Sequence, residues 1–205
     1  MKFSKSGSAV YISHLDLMRT LQRAFSRAGI ALKYSEGFNP HAKISIILPL
    51  SVGMHSKCEY LDFCLAEERP VSEIPKILNP FLPEGLEAIE AYVAPGKGAE
   101  LRWLHISGFI ESIHDASFFN SFFSQPKINV KRRSKRGERN DDIAPMIKKA
   151  LFTDLTDGIG ADLVIHAQEP TLNPEVMMKA LGGDIPEYYT FTRLEAFRGD
   201  MTPFR

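Results

Sequence analysis

A break rich in glycine and proline divides this chain into two stretches that predict a similar order of strands and helices. The break reads Ala-Pro-Gly-Lys-Gly over residues 94–98. Glycine tolerates positive φ and proline removes a backbone donor, so neither a helix nor a strand is expected to continue through it. The sequence therefore predicts a boundary between two domains, residues 1–95 and 99–205.

Hydrophobic periodicity assigns the elements of the first half. A strand covers residues 1–3 and continues over 9–12, and a helix starts at Ser13. Strands follow over 31–35, 44–48 and 56–65, then a helix over 72–82 and a strand over 86–93. The apolar positions of this pattern predict a first core of Leu17, Leu21, Phe25, Ile46, Leu61 and Phe63.

The second half repeats the order with weaker signals. A strand over 101–113 precedes a short helix capped by Asp115, whose phenylalanines 118, 119, 122 and 123 predict core positions. A hairpin over 127–139, a strand over 162–167, a helix starting at 173–175 and a strand over 188–197 complete it. This order favours an α+β fold of tandem ferredoxin-like (βαββαβ) sandwiches with antiparallel sheets.

Composition narrows the class of protein. The chain has 205 residues, 44% of them hydrophobic, with 25 basic and 25 acidic side chains. The neutral balance requires any polyanion site to come from local clustering. No apolar run is long enough to span a bilayer, and the first residues lack the apolar core of a signal peptide, so we expect a cytoplasmic protein without a membrane span.

The residues around Gly-Phe-Asn-Pro-His, 37–41, form the first candidate site. Gly37 and Pro40 predict an irregular connection between strands, which makes its side chains available to a ligand. The candidate binding residues are Phe38, Asn39, His41 and Lys43. The alternative is an ordinary loop whose Asn39 and His41 bond their own backbone.

Two basic clusters are further candidates for binding RNA. Arg19, Arg23 and Arg27 are spaced by four residues and therefore share one face of the first helix. The hairpin carries seven cations against the single acid Glu138; the candidates among them are Lys131, Arg132, Arg133, Lys135 and Arg136. Both clusters can follow a phosphate backbone, or they can be solvated surfaces without a ligand.

Motifs for catalysis and for metal or cofactor binding are largely missing. The sequence contains no phosphate-binding loop, no Gly-x-Ser-x-Gly and no His-Glu-x-x-His. Cys58 and Cys64 are too few for an iron–sulfur cluster and, in one strand, too far apart for a disulfide. We therefore expect no cofactor and no metal, and His41 is the candidate for a catalytic base.

Several segments together resemble a known family. They include Ile-Ser-His-Leu-Asp over 12–16, Gly-Phe-Asn-Pro-His over 37–41 and Asp-Ile-Ala-Pro-Met-Ile over 142–147. With them the chain resembles the radical SAM-linked protein family, a bacterial domain of unknown function, along nearly its whole length. Members occur as separate chains or fused behind cobalamin-binding radical SAM domains, and often near genes for ribonucleases and ribosomal proteins. The first half is also distantly similar in fold to RNA-processing proteins of CRISPR systems.

The resemblance implies an association with a radical SAM enzyme, and the residues leave open what the protein itself binds or catalyses. Because the chain lacks the cysteines for a cluster, it would be the partner of a radical SAM enzyme. The first hypothesis is an accessory, non-catalytic module that binds a structured RNA, such as tRNA or rRNA. The second is a metal-independent endoribonuclease with His41 as base. The third is a protein–protein adaptor that binds no RNA.

Overall fold

Two compact units make up the chain, Met1–Gly98 and Ala99–Phe204. The computed structural model describes residues 1–94, 96, 98–134 and 137–204, and the backbone alone of 132–134, 138 and 139. Of the predicted break, Pro95 and Lys97 lie outside the described residues.

The described residues of the first unit form an antiparallel sheet with two α-helices. Its elements are β1 (Lys2–Lys5), α1 (His14–Arg27), β2 (Ile44–Ile46), β3 (His55–Phe63), α2 (Ile74–Leu78) and β4 (Leu86–Glu90). β1 pairs with β4 on one side and β3 on the other, and β2 pairs with the end of β3. The order across this unit is therefore β4-β1-β3-β2.

The apolar stripe of α1 forms the core of the first unit. Ser13 caps the helix, because its Oγ accepts the amide of Asp16 at 3.2 Å. The predicted core residues lie in one cluster, where Leu21, Phe25 and Leu61 are fully buried and Phe63 packs against them partly buried. The core prediction is thus confirmed.

The predicted continuation of the first strand over 9–12 is wrong. Residues Gly7–Tyr11 form a 3-10 helix, which Gly7 enters with φ of +54°. The buried ammonium of Lys5 donates to the carbonyls of Val10 and Ile12, both at 3.2 Å, and so holds the chain in this turn. Burial lowers the pKa of Lys5, while nearby Glu59 opposes that shift.

Two further elements differ from the prediction. Residues 31–35 form no strand, because only the isolated bridges Leu32 to Leu65 and Tyr34 to Ala42 pair this segment. The helix predicted over 72–82 is divided into a 3-10 turn, Val71–Glu73, the short α2, and a second 3-10 turn, Asn79–Phe81. The boundary between α2 and the second 3-10 turn falls where Pro80 removes a backbone donor.

The second unit contains the same kinds of element with an inserted hairpin. Its elements are β5 (Trp103–Glu111), α3 (Ala116–Phe123), β6 (Asn129–Ser134), β7 (Gly137–Asp142), β8 (Ile147–Leu155), β9 (Gly158–His166), α4 (Pro174–Ala180) and β10 (Tyr188–Phe197). β6 and β7 form a separate two-stranded sheet. The remaining strands have the order β10-β5-β9-β8, with antiparallel neighbours.

Helix α3 covers one face of this second sheet. Asp115 Oδ1 accepts the amide of Phe118 at 3.0 Å, which confirms the predicted cap. The rings of Phe119 and Phe123 are buried and stack on Phe152 of β8, with centroids 5.2 and 5.4 Å apart. The four phenylalanines therefore supply core contacts, as predicted, although Phe118 and Phe122 remain half-buried.

The sequence prediction missed β8 altogether. This strand lies at the edge of the sheet, and Phe152 is its one buried residue. A strand with a single buried position has almost no alternation to detect. The predicted α+β class with antiparallel sheets is confirmed.

Candidate nucleic-acid interface

The candidate loop has a closed base. The amide of Ser35 donates to the carbonyl of His41 at 2.8 Å, and the amide of His41 donates to Oγ of Ser35 at 3.0 Å. Tyr34 and Ala42 form the adjacent β-bridge. Gly37, with φ of +118°, makes the reversal at the tip, a conformation that a residue with a Cβ rarely adopts.

The side chains at the tip face solvent. Phe38 is fully exposed, and Asn39 and His41 are exposed as well. Within the described part of the chain, the side chains of Asn39 and His41 make no hydrogen bond. Ser35 therefore holds the loop closed. The alternative, in which Asn39 and His41 bond their own backbone, does not describe this loop. An exposed phenyl ring, amide and imidazole are left for a ligand.

The three arginines of α1 have different surroundings. Arg19 pairs with Asp16 at 3.0 Å, with both side chains more than half exposed. The Ser13 hydroxyl, and then Arg19, hold the pKa of Asp16 below its usual value. Arg27 donates to the carbonyl of Phe81 at 2.8 Å. Arg23 is exposed and has no hydrogen bond or ion pair with the described residues, so it is the most available cation of the three.

A groove of about 350 Å³ lies between α1 and the base of the loop. It is lined by Gln22, Phe25, Ser26, Gly29, Ile30, Ala31, Leu32, Tyr34 and Ala42. Arg19 and Arg23 are not among the lining residues, but each precedes one of them, Gln22 or Ser26, by three positions and is therefore its neighbour on the surface of α1. Arg27 bonds instead toward Phe81.

His41 and Lys43 flank Ala42 in sequence, but neither lines this groove. Successive side chains of an extended segment point to opposite sides, which directs these two away from the lining residues Tyr34 and Ala42. A common surface for the arginines, His41 and Lys43 stays a prediction.

The basic hairpin is present as β6 and β7. Lys131 pairs with Asn140 in the register and is exposed. The hairpin base is fixed, because Asp142 Oδ1 accepts the amides of Ile128 and Ala144 at 2.9 and 3.1 Å. Ile128, Val130 and Ile143 are buried there. Of the other candidates, Lys135 and Arg136 lie outside the described residues, as do the side chains of Arg132 and Arg133.

Sequence reasoning missed a polar cluster on the second sheet. Asp162 of β9 contacts His105 Nε2 at 2.9 Å and Lys149 Nζ at 2.5 Å. The hydrogen bond from Lys149, and to a smaller extent that from His105, lowers the pKa of Asp162. The alternation of half-buried residues with buried Leu104 and Ile106 along β5 could have revealed that face.

The same face carries an aromatic cluster at one end. The ring of His166 meets the Trp103 ring edge-on, with centroids 5.0 Å apart. Lys148 Nζ lies 5.0 Å from the centroid of Trp103. His166 Nδ1 lies 2.6 Å from the Pro170 carbonyl, which fixes the imidazole.

Metal ligands do not gather in the part of the chain that the structure describes: it holds no group of three or more His, Cys, Asp or Glu residues that could bind an ion. Cys58 is buried and Cys64 is exposed, and no disulfide joins these two described residues. Among the described helices, none combines the length and apolar composition needed to cross a membrane.

Comparison with known proteins identifies a family. No curated protein matches the chain. The model of the DUF2344 family, described as an uncharacterized protein conserved in bacteria, matches residues 1–174. That description makes no reference to radical SAM enzymes, so this association has no support beyond the resemblance noted above. The matched segment covers most of the chain, which therefore belongs to the DUF2344 family.

Proposed function

We propose that this protein is an accessory, non-catalytic module that binds a structured RNA and works with a radical SAM enzyme. The single observation that carries the RNA part is the tip of the loop. Phe38, Asn39 and His41 are exposed together on a connection whose base is closed by Ser35. Proteins that read RNA by sequence stack unpaired bases on aromatic rings and hydrogen-bond their edges, which requires such groups.

Cations beside the loop supply the second requirement, which is contact with phosphates. Arg19 and Arg23 are helix neighbours of the groove-lining residues Gln22 and Ser26, and Lys43 is exposed just after the loop. Lys131 offers a further cation in the second unit. Phosphate contacts of this kind do not depend on the base sequence. They fix the orientation of the nucleic acid on the protein.

The fold is compatible with this role. Both units order their four sheet strands as fourth, first, third, second, the order of a ferredoxin-like sandwich, so we infer tandem ferredoxin-like domains. Fold similarity alone does not imply function. An RNA partner would place the protein in the cytoplasm.

The radical SAM partner rests on the resemblance alone, whereas a specific observation weighs against catalysis. A general base is usually oriented by a third group. The imidazole of His41 has no hydrogen bond to any described residue, so nothing in the described structure orients it. We therefore expect RNA to be bound and left intact.

Titration of the full chain with labelled tRNA and rRNA fragments, at several salt concentrations, tests the proposal. Each phosphate contact should add about 0.7 to 0.9 to the slope of log affinity against log salt. Arg23→Glu should weaken binding to all RNAs alike and reduce the slope by about 1. The matched control is Lys76→Glu, because Lys76 is exposed on α2 and the substitution makes the same change in net charge.

The loop variants separate the hypotheses. Phe38→Ala should change the preference among RNAs more than the salt slope, because a stacked base carries identity and a phosphate does not. Cleavage that His41→Ala abolishes would establish the endoribonuclease instead. Equal effects of Arg23→Glu and Lys76→Glu on RNA affinity would refute a defined site on α1. If the protein has no affinity for RNA at low salt, the protein–protein adaptor is the hypothesis that stands.

A further inference from the structure

The groove between α1 and the loop base contains polar side chains that have no hydrogen-bond partner among the described residues. Gln22 and Ser26 lie one helical turn apart on α1 and both line the groove. Neither the Gln22 amide nor the Ser26 hydroxyl makes a hydrogen bond to a described side chain or backbone group. An amide offers both donors and an acceptor, and a hydroxyl offers one of each. Two adjacent groups of this kind can recognise the polar edge of a planar heterocycle.

The remaining walls of the groove are apolar and aromatic. Phe25 and Ile30 belong to the buried core and form its floor. Tyr34 lines the groove and is exposed over 60% of its surface, so its ring has a face open to solvent. An aromatic ring above an apolar floor favours a flat partner that can stack. The volume of about 350 Å³ lies at the small end of the range for ligand sites.

The charge around the groove indicates that the flat ligand group is attached to an anion. Arg23 is an exposed cation without an ion pair among the described residues, and it precedes the lining residue Ser26 by three positions on α1. Asp16, a carboxylate on the same helix, is already bonded by Ser13 and Arg19. A ligand with a planar, hydrogen-bonding head and an adjacent anionic group satisfies the amide, the tyrosine and the arginine together.

We propose that this groove binds one unpaired nucleobase of an RNA strand. The base stacks on Tyr34, the Gln22 amide and the Ser26 hydroxyl contact its polar edge, and Arg23 contacts a neighbouring phosphate. This inference rests on the proposed function and adds to it a site for a single extruded base, apart from the exposed tip at Phe38. RNA recognition through splayed bases that stack on aromatic side chains and are read at their edges is a general mode.

A fluorescent base analogue tests the site directly. The probe is a short single-stranded oligouridylate with one central 2-aminopurine, whose fluorescence falls when the analogue stacks. Titration with the full chain should quench it. Tyr34→Ala should abolish the quenching and weaken binding about 5- to 150-fold, the range for a base on an aromatic ring. Tyr34→Phe should retain both, because the ring and not the hydroxyl stacks.

Matched variants separate stacking, reading and charge. Tyr11→Ala is the aromatic control, since Tyr11 is exposed and lies outside the groove. Gln22→Ala should alter the ranking of oligouridylate, oligocytidylate and oligoadenylate while the salt slope stays constant. Arg23→Glu should reduce the salt slope while the quenching at saturation persists.

The outcomes distinguish the two proposals. If the probe binds with the expected salt dependence but shows no quenching, or if Tyr34→Ala quenches like the wild type, the base site is overturned and the RNA-binding proposal stands. If neither the probe nor the structured RNAs bind at low salt, both are overturned. Quenching lost in Tyr34→Ala and kept in Tyr34→Phe and Tyr11→Ala supports the site.

Discussion

Ser35 and His41 close the candidate loop on each other by two hydrogen bonds. The Ser35 amide donates to the His41 carbonyl at 2.8 Å, and the Ser35 Oγ accepts the His41 amide at 3.0 Å. The side chain that fixes the loop is therefore at its base, and the side chains of residues 36–40 make no hydrogen bond to the described residues. A loop closed in this way can present exposed groups without the conformational cost of ordering them on binding.

Ser35→Ala should weaken RNA binding more than it weakens the fold. The variant loses one hydrogen bond at an exposed position, so we expect the free energy of unfolding to fall by about 0.5 to 1.5 kcal/mol or less. Urea denaturation and RNA titration measure the two effects. Ser45→Ala, at an exposed position of β2, is the control and should change neither. An unchanged RNA affinity in Ser35→Ala would show that loop closure is irrelevant to binding.

Gly108→Ala should destabilise the second unit. A Cβ at Gly108 would approach Cδ1 of the buried Phe191 to 2.6 Å and Cβ of Ala161 to 3.3 Å. Overpacking of this kind costs about 1 to 3 kcal/mol of the free energy of unfolding. Gly183→Ala is the matched control, because a Cβ there meets no atom within 4 Å. Equal urea midpoints for the two variants would contradict the packing of β5 against β10.

Asn120 should be essential to the edge strand β8. Its Nδ2 donates to the Phe152 carbonyl and its Oδ1 accepts the Phe152 amide, both at 2.9 Å. Because the edge of a sheet leaves such groups unpaired, Asn120→Ala should lower the free energy of unfolding by about 1 to 3 kcal/mol.

The control for that variant is Gln125→Ala, at an exposed position after α3. Asn120→Asp tests the pattern further, since a carboxylate still accepts from the Phe152 amide but cannot donate to its carbonyl. If urea denaturation gives Asn120→Ala the same free energy of unfolding as the wild type, the edge strand does not need this amide.

Stability at acid pH should depend on Asp162. Hydrogen bonds from Lys149 and His105 lower the pKa of this carboxyl in the folded state. Its contribution is therefore complete above the unfolded pKa of about 3.9 and is lost as the pH falls through the lower folded value. Asp162→Asn removes that contribution, so its urea midpoint should lie below that of the wild type at neutral pH and converge with it in acid. A difference that is constant over this range would exclude a role for the charge.

The sequence by itself determined the elements that depend on local signals. Ser13 and Asp115 cap their helices because a hydroxyl or carboxylate three residues before an orphan amide needs no distant partner. The apolar spacing of α1 predicted Leu17, Leu21 and Phe25 in the core, since one side of a helix is buried whatever packs on it. The Gly-Phe-Asn-Pro-His loop and the basic hairpin were predicted from their residues for the same reason.

Tertiary structure decided whatever depends on a distant partner. Residues 31–35 have the composition of a strand, but only isolated bridges pair them. β8 has one buried residue and exists as a strand because β9 pairs with it. The groove joins Gln22 to Tyr34 and Ala42, which no local pattern relates. Local propensity is a property of a few neighbouring residues, whereas strand pairing and groove formation require contacts between segments far apart in the chain, so only the folded structure could reveal them.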